Sequence, residues 1–237
     1  LHGMGATGAV WNGVTQVIEQ QSLGRWIAPD LAGHGSSDWQ PTYSMEQFAA
    51  DLISLLQGAG ELFVMGHSLG AYVGLALANS QFGLDVAGVL GVGPKVEWSE
   101  ADLAGARDLA ARPIRWFAEE SEVVERFRRV SGLDETIAPT AAWLARGVAR
   151  KDQGFRLAQD PRTFAVAGSH FAPLLEGAET RVLLARGERD AMVSLAQLQR
   201  YCPDARDISS AGHNVHVEDP GAVFGLLAEL VRSANRD

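Results

Sequence analysis

The stretch that decides the fold runs from Leu62-Phe63-Val64-Met65 through Gly66-His67-Ser68-Leu69-Gly70 into Ala71-Tyr72-Val73-Gly74-Leu75-Ala76-Leu77-Ala78-Asn79-Ser80. Four successive apolar residues form a short run of the kind buried as a strand in a parallel sheet. The run after Gly70 is small and apolar and reads as a helix. Between them stands G-x-S-x-G. A strand that turns directly into a helix brings the two elements close together, so the positions two before and two after the turn residue must be small. Both are Gly here. The turn strains Ser68 and exposes its hydroxyl at a helix N-terminus, which favours negative charge developing nearby.

A serine hydroxyl is a weak nucleophile until a base takes its proton, so a histidine and an orienting carboxylate are expected downstream. RVLLARGERD places Asp190 just beyond the end of an apolar run at 181–185, and RDISSAGHNVHVEDP places His213 after a run at 206–209. Catalytic groups in open α/β sheets gather at such strand ends. His216 rivals His213, but it sits beside Glu218, Asp219 and Pro220, which read as a helix start. Asp204, Asp207 and Asp219 rival Asp190, whereas the segment GVGPK (91–95) offers no carboxylate.

Further strand and helix signals alternate along the chain, which predicts a mostly parallel sheet with helices on both faces. Val10, Val14, Val17 and Ile18 have helical spacing, and RWIAPD (25–30) reads as a strand. Ser44 with Gln47 reads as a capping box ahead of Phe48, Leu52, Leu55 and Leu56. VAGVLGVG (86–93) is another buried strand, and Val223 to Val231 mark a terminal helix. Residues 95–175 break the rhythm, with helical patterns at 101–111, 121–130 and 140–150 and no evident buried strand. From 95 to 170 there are 12 basic and 12 acidic residues, so the remainder, with 8 basic and 17 acidic, carries the whole net charge of −9. This divides the chain into a core (1–94 and 176–237) and a helical insertion (95–175). Within the insertion Trp116, Phe117 and Trp143 read as its own core, and Phe127-Arg128-Arg129 as a solvated face.

The 237 residues suffice for one α/β domain with an insertion. The acidic balance argues against nucleic acid or an anionic membrane as partner. Cys202 is the only cysteine, which leaves no intrachain disulfide and no cysteine-based metal site. No run approaches the roughly 18 apolar residues of a membrane span. A cytoplasmic location is the default expectation, and composition is silent on oligomeric state.

LHGMGATG (1–8) reads in two ways. Gly3, Gly5 and Gly8 spell G-x-G-x-x-G, a dinucleotide-binding turn, with Asp30 at a suitable distance for a ribose. That fingerprint should follow a strand, yet only Leu1 and His2 precede it. The same letters spell a His-Gly loop that offers a backbone N–H to an oxyanion.

Taken together, LHGMG, DLAGHGSSD, GHSLGAY, GERD followed by Met192-Val193, and AGHNVHVEDP resemble the α/β-hydrolase superfamily across nearly the whole chain, with 95–175 where that family carries its variable cap. The resemblance implies Ser68 as nucleophile, His213 as general base and then acid, Asp190 as the carboxylate fixing the tautomer of His213, and the backbone N–H groups of Met4 and Leu69 as oxyanion donors. It implies acyl hydrolysis of a small ester-like substrate without cofactor or metal. Family members with Asp at the elbow dehalogenate alkanes or open epoxides, and Ser68 argues against both. A receptor with a silent triad, or a lyase, carbon–carbon hydrolase or cofactor-free oxygenase, would present the same residues. In the family the His-Gly loop follows a central strand and an antiparallel pair, so the resemblance also implies a longer protein, with roughly 20–30 residues upstream of Leu1.

Overall fold

The sheet is ordered by a central strand, β2 (Val86–Val92), flanked by β1 (Leu62–His67) on one side and by β5 (Arg181–Gly187) and β6 (Arg206–Ile208) on the other, all parallel. The computed structural model describes residues 1–133 and 135–234. Parallel strands need crossovers, and these are helical: α3 (Leu69–Leu77) returns β1 to β2, and α7 (Leu195–Gln199) returns β5 to β6. In register, His67 stands opposite Val92 and Val92 opposite Ala185, so the strands end at one level. Whatever follows them is gathered at that edge.

Both faces of the sheet are covered. Val89 and Leu184 point into one core with Phe48, Leu52, Tyr72 and Leu75. Leu90, Leu183 and Ala185 point into the other with Trp11, Val14, Val223 and Leu227. This alternation explains why β2 and β5 read as unbroken apolar runs. The first core is closed by α2 (Met45–Leu56) and α3, the second by α1 (Asn12–Gln20) and α9 (Pro220–Ala234). All nine residues of α3 are buried, and Gly74 lets it lie on the sheet: a Cβ there would sit 3.1 Å from Val64 and 3.3 Å from Val89. Ser44 caps α2 by accepting from the Gln47 amide at 3.1 Å.

Two expectations need correction. RWIAPD (25–30) forms no strand, because its backbone has no ladder partner. With β1 it lines a cavity of about 450 Å3. Leu62 to Met65 are accordingly half-buried rather than enclosed. Leu1 lies against β1 in parallel fashion: its amino group donates to Met65 O, and its carbonyl accepts from His67 N at 2.9 Å. The second correction concerns 140–150. That pattern folds as a 3-10 turn (142–147) and the strand β3 (Val148–Lys151), which pairs antiparallel with β4 (Gly154–Leu157) around a turn ending at Gly154, φ +114°. The alternation in VARK and GFRL, around Asp152-Gln153, is a hairpin signal masked by the helical spacing of Ala142 to Val148.

The rest of 95–175 is helical as expected, with α4 (Glu100–Ala110) and α5 (Glu120–Val130). The division placed at 175/176 falls inside α6 (Phe171–Glu176), whose Phe171 meets Tyr72 and Tyr201 edge-on at 5.1 and 5.2 Å. No helix among the described residues is long and apolar enough to cross a membrane.

Candidate active site

Ser68 is the residue between β1 and α3, and its backbone has φ +50° and ψ −111°, a conformation that non-glycine residues rarely adopt. The flanking glycines make the turn possible. A Cβ on Gly66 would land on the carbonyl of Gly70, and one on Gly70 would land on the carbonyl of Leu1. The Ser68 amide is tied to Val92 O at 2.8 Å, which fixes the turn to the end of β2.

Asp190 and His213 meet at the same edge. Asp190 lies three residues beyond β5 with its carboxylate buried; Oδ1 accepts from the Met192 amide and Oδ2 from Nδ1 of His213, both at 2.8 Å. That contact makes Nδ1 the donor and leaves Nε2 of His213 as the acceptor of a proton. The imidazole is partly exposed. Gly93, with φ +60°, connects the pair to the elbow. It follows Val92, and a Cβ on it would stand 3.2 Å from Asp190 Oδ2 and 3.4 Å from His213 Nδ1. No hydrogen bond among the described residues joins Ser68 Oγ to His213.

The opening loop completes the arrangement. Gly3 passes so close to the elbow that a Cβ would meet the His67 ring and stand 3.3 Å from Ser68 Cβ. Gly5 has φ +76°. The Met4 amide donates to no acceptor among the described residues, and the Leu69 amide, first of α3, has no intrahelical acceptor. Met4 lies in the opening loop and Leu69 directly follows Ser68 at the start of α3. The Cβ position of Gly5 is 2.8 Å from Val130 Cγ1 and 3.3 Å from Gln159 Oε1, so the 95–175 segment closes over this loop.

Four other histidines, His2, His34, His67 and His216, are buried. His216, on α8 (Val215–Glu218), is fully buried between Trp11 and His67, and burial and neighbouring charge keep its pKa well below the ordinary range. His67 lies beneath His213, also with a strongly lowered pKa, chiefly from burial. His2 accepts from the Leu31 amide at 2.9 Å through Nε2 and donates to Gly3 O through Nδ1. Of the rival carboxylates, Asp207 pairs with Arg186 and Asp219 caps α9 by accepting from Ala222 N.

Asp30, the residue suited to a ribose, is turned inward. Oδ1 accepts from Gly8 N at 2.7 Å, and Oδ2 from the Ser36 amide and hydroxyl and from Arg146. Burial raises its pKa, but these bonds outweigh burial and hold it below the usual value. The third glycine of G-x-G-x-x-G thus serves Asp30: a Cβ on Gly8 would collide with the carbonyl of Ala28. No group of three or more His, Cys, Asp or Glu side chains among the described residues is placed to hold a metal.

Two positions escaped the sequence reading. Gly93 reads from the sequence as the end of a buried strand and as part of a segment without a carboxylate, but β2 stops at Val92. Asn214 donates through Nδ2 to Ser131 O and Gly132 O at 3.0 and 2.8 Å, which locks the residue after His213 to the end of α5. Its contacts lie more than 80 residues away, and no local pattern encodes them.

Among curated proteins the chain is similar to lipase LipV of Mycobacterium tuberculosis, 34% identical over 83 residues, which are 34% of this chain and 31% of LipV. The match thus spans about a third of that relative's length. Among solved structures it is similar to the thioesterase domain from the curacin biosynthetic pathway, 21% identical with a TM-score of 0.75 over 96% of this chain and 89% of the other. It is also similar to the esterase Rv0045c from Mycobacterium tuberculosis, 21% identical with a TM-score of 0.73 over 98% and 82%. At such identities the likeness carries the fold alone. The family model described as the alpha/beta hydrolase family matches residues 1–226, and the chain belongs to that family.

Proposed function

We propose that the protein is a serine hydrolase acting on carboxylic esters or related acyl substrates through an acyl-enzyme on Ser68. The observation that carries this reading is the Asp190–His213 hydrogen bond at 2.8 Å, standing over Gly93 beside the strained Ser68 elbow. Nε2 of His213 takes the Ser68 proton as Oγ attacks the carbonyl carbon. The tetrahedral oxyanion is held by the amides of Met4 and Leu69. His213 then gives its proton to the departing alcohol or thiol, leaving the acyl group on Ser68. Water deprotonated by His213 attacks the acyl-enzyme, and Ser68 recovers its proton as the acid leaves. Asp190 keeps Nδ1 protonated throughout and stabilises the imidazolium. Residues 95–175 act as a cap over this site.

The absence of a Ser68–His213 hydrogen bond favours a second reading, a hydrolase-like receptor whose triad stays silent. Such bonds also tighten on substrate binding, so catalysis remains the first reading. A panel of p-nitrophenyl and naphthyl esters, thioesters, lactones and amides separates the two. Turnover that disappears in Ser68→Ala supports hydrolysis, turnover that survives it overturns the mechanism, and inactivity across the panel supports the receptor.

A further inference from the structure

Val130 and Gln159, which close over Gly5, also line a cavity of about 840 Å3 between residues 109–115, α5 and residues 156–164. Val130 and Gln159 are therefore the wall that the cavity shares with the proposed oxyanion loop. Arg112, Arg115, Arg126, Arg129 and Arg156 line it, and no carboxylate does. A quarter of the chain's 20 basic residues thus surround one cavity in a protein of net charge −9.

These guanidinium groups are unlike their neighbours. Arg128, Arg146 and Arg162 each pair with a carboxylate, on Glu125, Asp30 and Asp160. Arg112, Arg115, Arg126, Arg129 and Arg156 form no ion pair among the described residues. Arg115 lies over the Phe117 ring at 4.6 Å and Arg156 over Trp39 at 4.0 Å, which orients them without neutralising them. Burial, and then the charges of Arg115, Arg112 and Arg129, which line the same cavity, hold the Arg126 guanidinium below its usual range. Arg126 and Arg156 are half-buried and Arg112, Arg115 and Arg129 exposed, and like charges gathered at one cavity repel until an anion enters. A single carboxylate would offset one charge of five. A phosphate monoester carries about two and linked phosphoryl groups more, and their oxygens match the guanidinium fork in pairs.

We infer that this arginine-lined cavity binds the multiply charged phosphoryl end of an acyl substrate, the chemical class that includes coenzyme A thioesters. The inference rests on the acyl-hydrolase reading of Ser68 and names the substrate class of that site. The acyl carbon would lie at Ser68 with the phosphorylated portion under α5.

Calorimetric titration of the Ser68→Ala protein with inorganic pyrophosphate reads the site without turnover. Saturable binding is expected, weakened at least about tenfold in Arg126→Gln/Arg129→Gln and partly restored in Arg126→Lys/Arg129→Lys. On the active protein, butyryl-coenzyme A should exceed butyryl-N-acetylcysteamine, the same thioester without phosphate, by at least about tenfold in kcat/KM. That ratio should fall in the Gln double variant. A preference for monobutyl succinate over butyl butyrate, with no preference for the coenzyme A thioester, would assign the arginines to a carboxylate and overturn the phosphoryl assignment. Neutral esters turned over with no pyrophosphate binding and no charged preference would overturn the inference and leave the hydrolase reading standing. Arginine-dependent pyrophosphate binding with no acyl turnover would overturn the hydrolase reading and keep the anion site.

Discussion

Nε2 of His67 donates a 2.9 Å hydrogen bond to the backbone carbonyl of His213, so the residue before the proposed nucleophile holds the loop of the proposed base. The two rings pack at 4.6 Å. This cross-link joins β1 to the loop after β6 beneath the site, and its other nitrogen is buried without a partner. The contact needs the proton on Nε2, and since burial keeps the ring neutral it fixes that tautomer.

His67→Ala should therefore damage stability and catalysis together. It removes a buried ring and leaves the His213 carbonyl without its donor, for a loss of about 2–4 kcal/mol. Thermal melts read the first effect, and kcat on a neutral p-nitrophenyl ester should fall at least about tenfold as the base loses its support. A variant with a lowered melting temperature and full kcat would show that the loop is positioned without His67.

Gly93→Ala tests the junction of β2 with the Asp190–His213 pair. The backbone at φ +60° disfavours any Cβ by about 1 kcal/mol, and this one would press on Asp190 Oδ2 and the His213 ring. Relaxation would tilt the imidazole away from Ser68. The expected outcome is a kcat loss larger than the modest drop in melting temperature, measured on one preparation. Equal activity would mean that the pair adjusts without cost.

Stability should fall as pH drops below about 6.5. Burial lowers the pKa of His2 to about 3 and of His34 to about 4, and those of His67 and His216 lie well below the ordinary 6.5. With folded-state values below the unfolded one, the unfolded chain binds more protons between the two. The stabilisation is complete above about pH 6.5 and is lost as pH falls toward the folded values, at about 1.4 kcal/mol per pH unit for each fully shifted histidine. Protonating His2 also costs the bond that its Nε2 accepts from Leu31. Urea midpoints between pH 7.5 and 4.5 check this, and a flat profile would contradict it.

What the sequence discloses follows from how local each constraint is. The elbow is legible because its geometry demands glycine at positions 66 and 70 and a strand and a helix on either side. β2 and β5 are legible because both of their faces are buried. Residues 25–30 resemble a strand by composition, but a strand also needs a neighbour, and none pairs with it. Of Phe127-Arg128-Arg129, which reads as a solvated face, only Arg129 is exposed; Phe127 and Arg128 are buried, because what covers them comes from outside the helix and helical spacing cannot reveal it. Asn214 and Gly93 act through contacts with distant segments, and a single sequence carries no trace of them.

Asn214→Ala should loosen the segment over the oxyanion loop. The end of α5 is a Schellman turn, with Leu133 N bonded to Arg128 O at 2.7 Å and Gly132 at φ +67°. Asn214 supplies donors to the next two carbonyls, at a net value of about 1 kcal/mol each. Because Val130 rests on Gly5, the variant should raise KM for esters several-fold while the thermal melt shifts by a few degrees. An unchanged KM would separate the cap from substrate binding.

Ser68→Gly should stabilise the fold while abolishing acyl transfer. The side chain at φ +50° stores about 1–3 kcal/mol of backbone strain, maintained by the hydrogen bond to Val92 and by the packing of Gly66 on Gly70. Glycine relieves that strain at an entropic cost of about 0.5–1 kcal/mol in the unfolded chain. Ser68→Ala removes the same hydroxyl but keeps a Cβ, and so retains the strain. Comparing the two inactive variants isolates the backbone contribution. Ser68→Gly should melt above Ser68→Ala by several degrees, and equal melting temperatures would mean that the elbow holds Ser68 without strain.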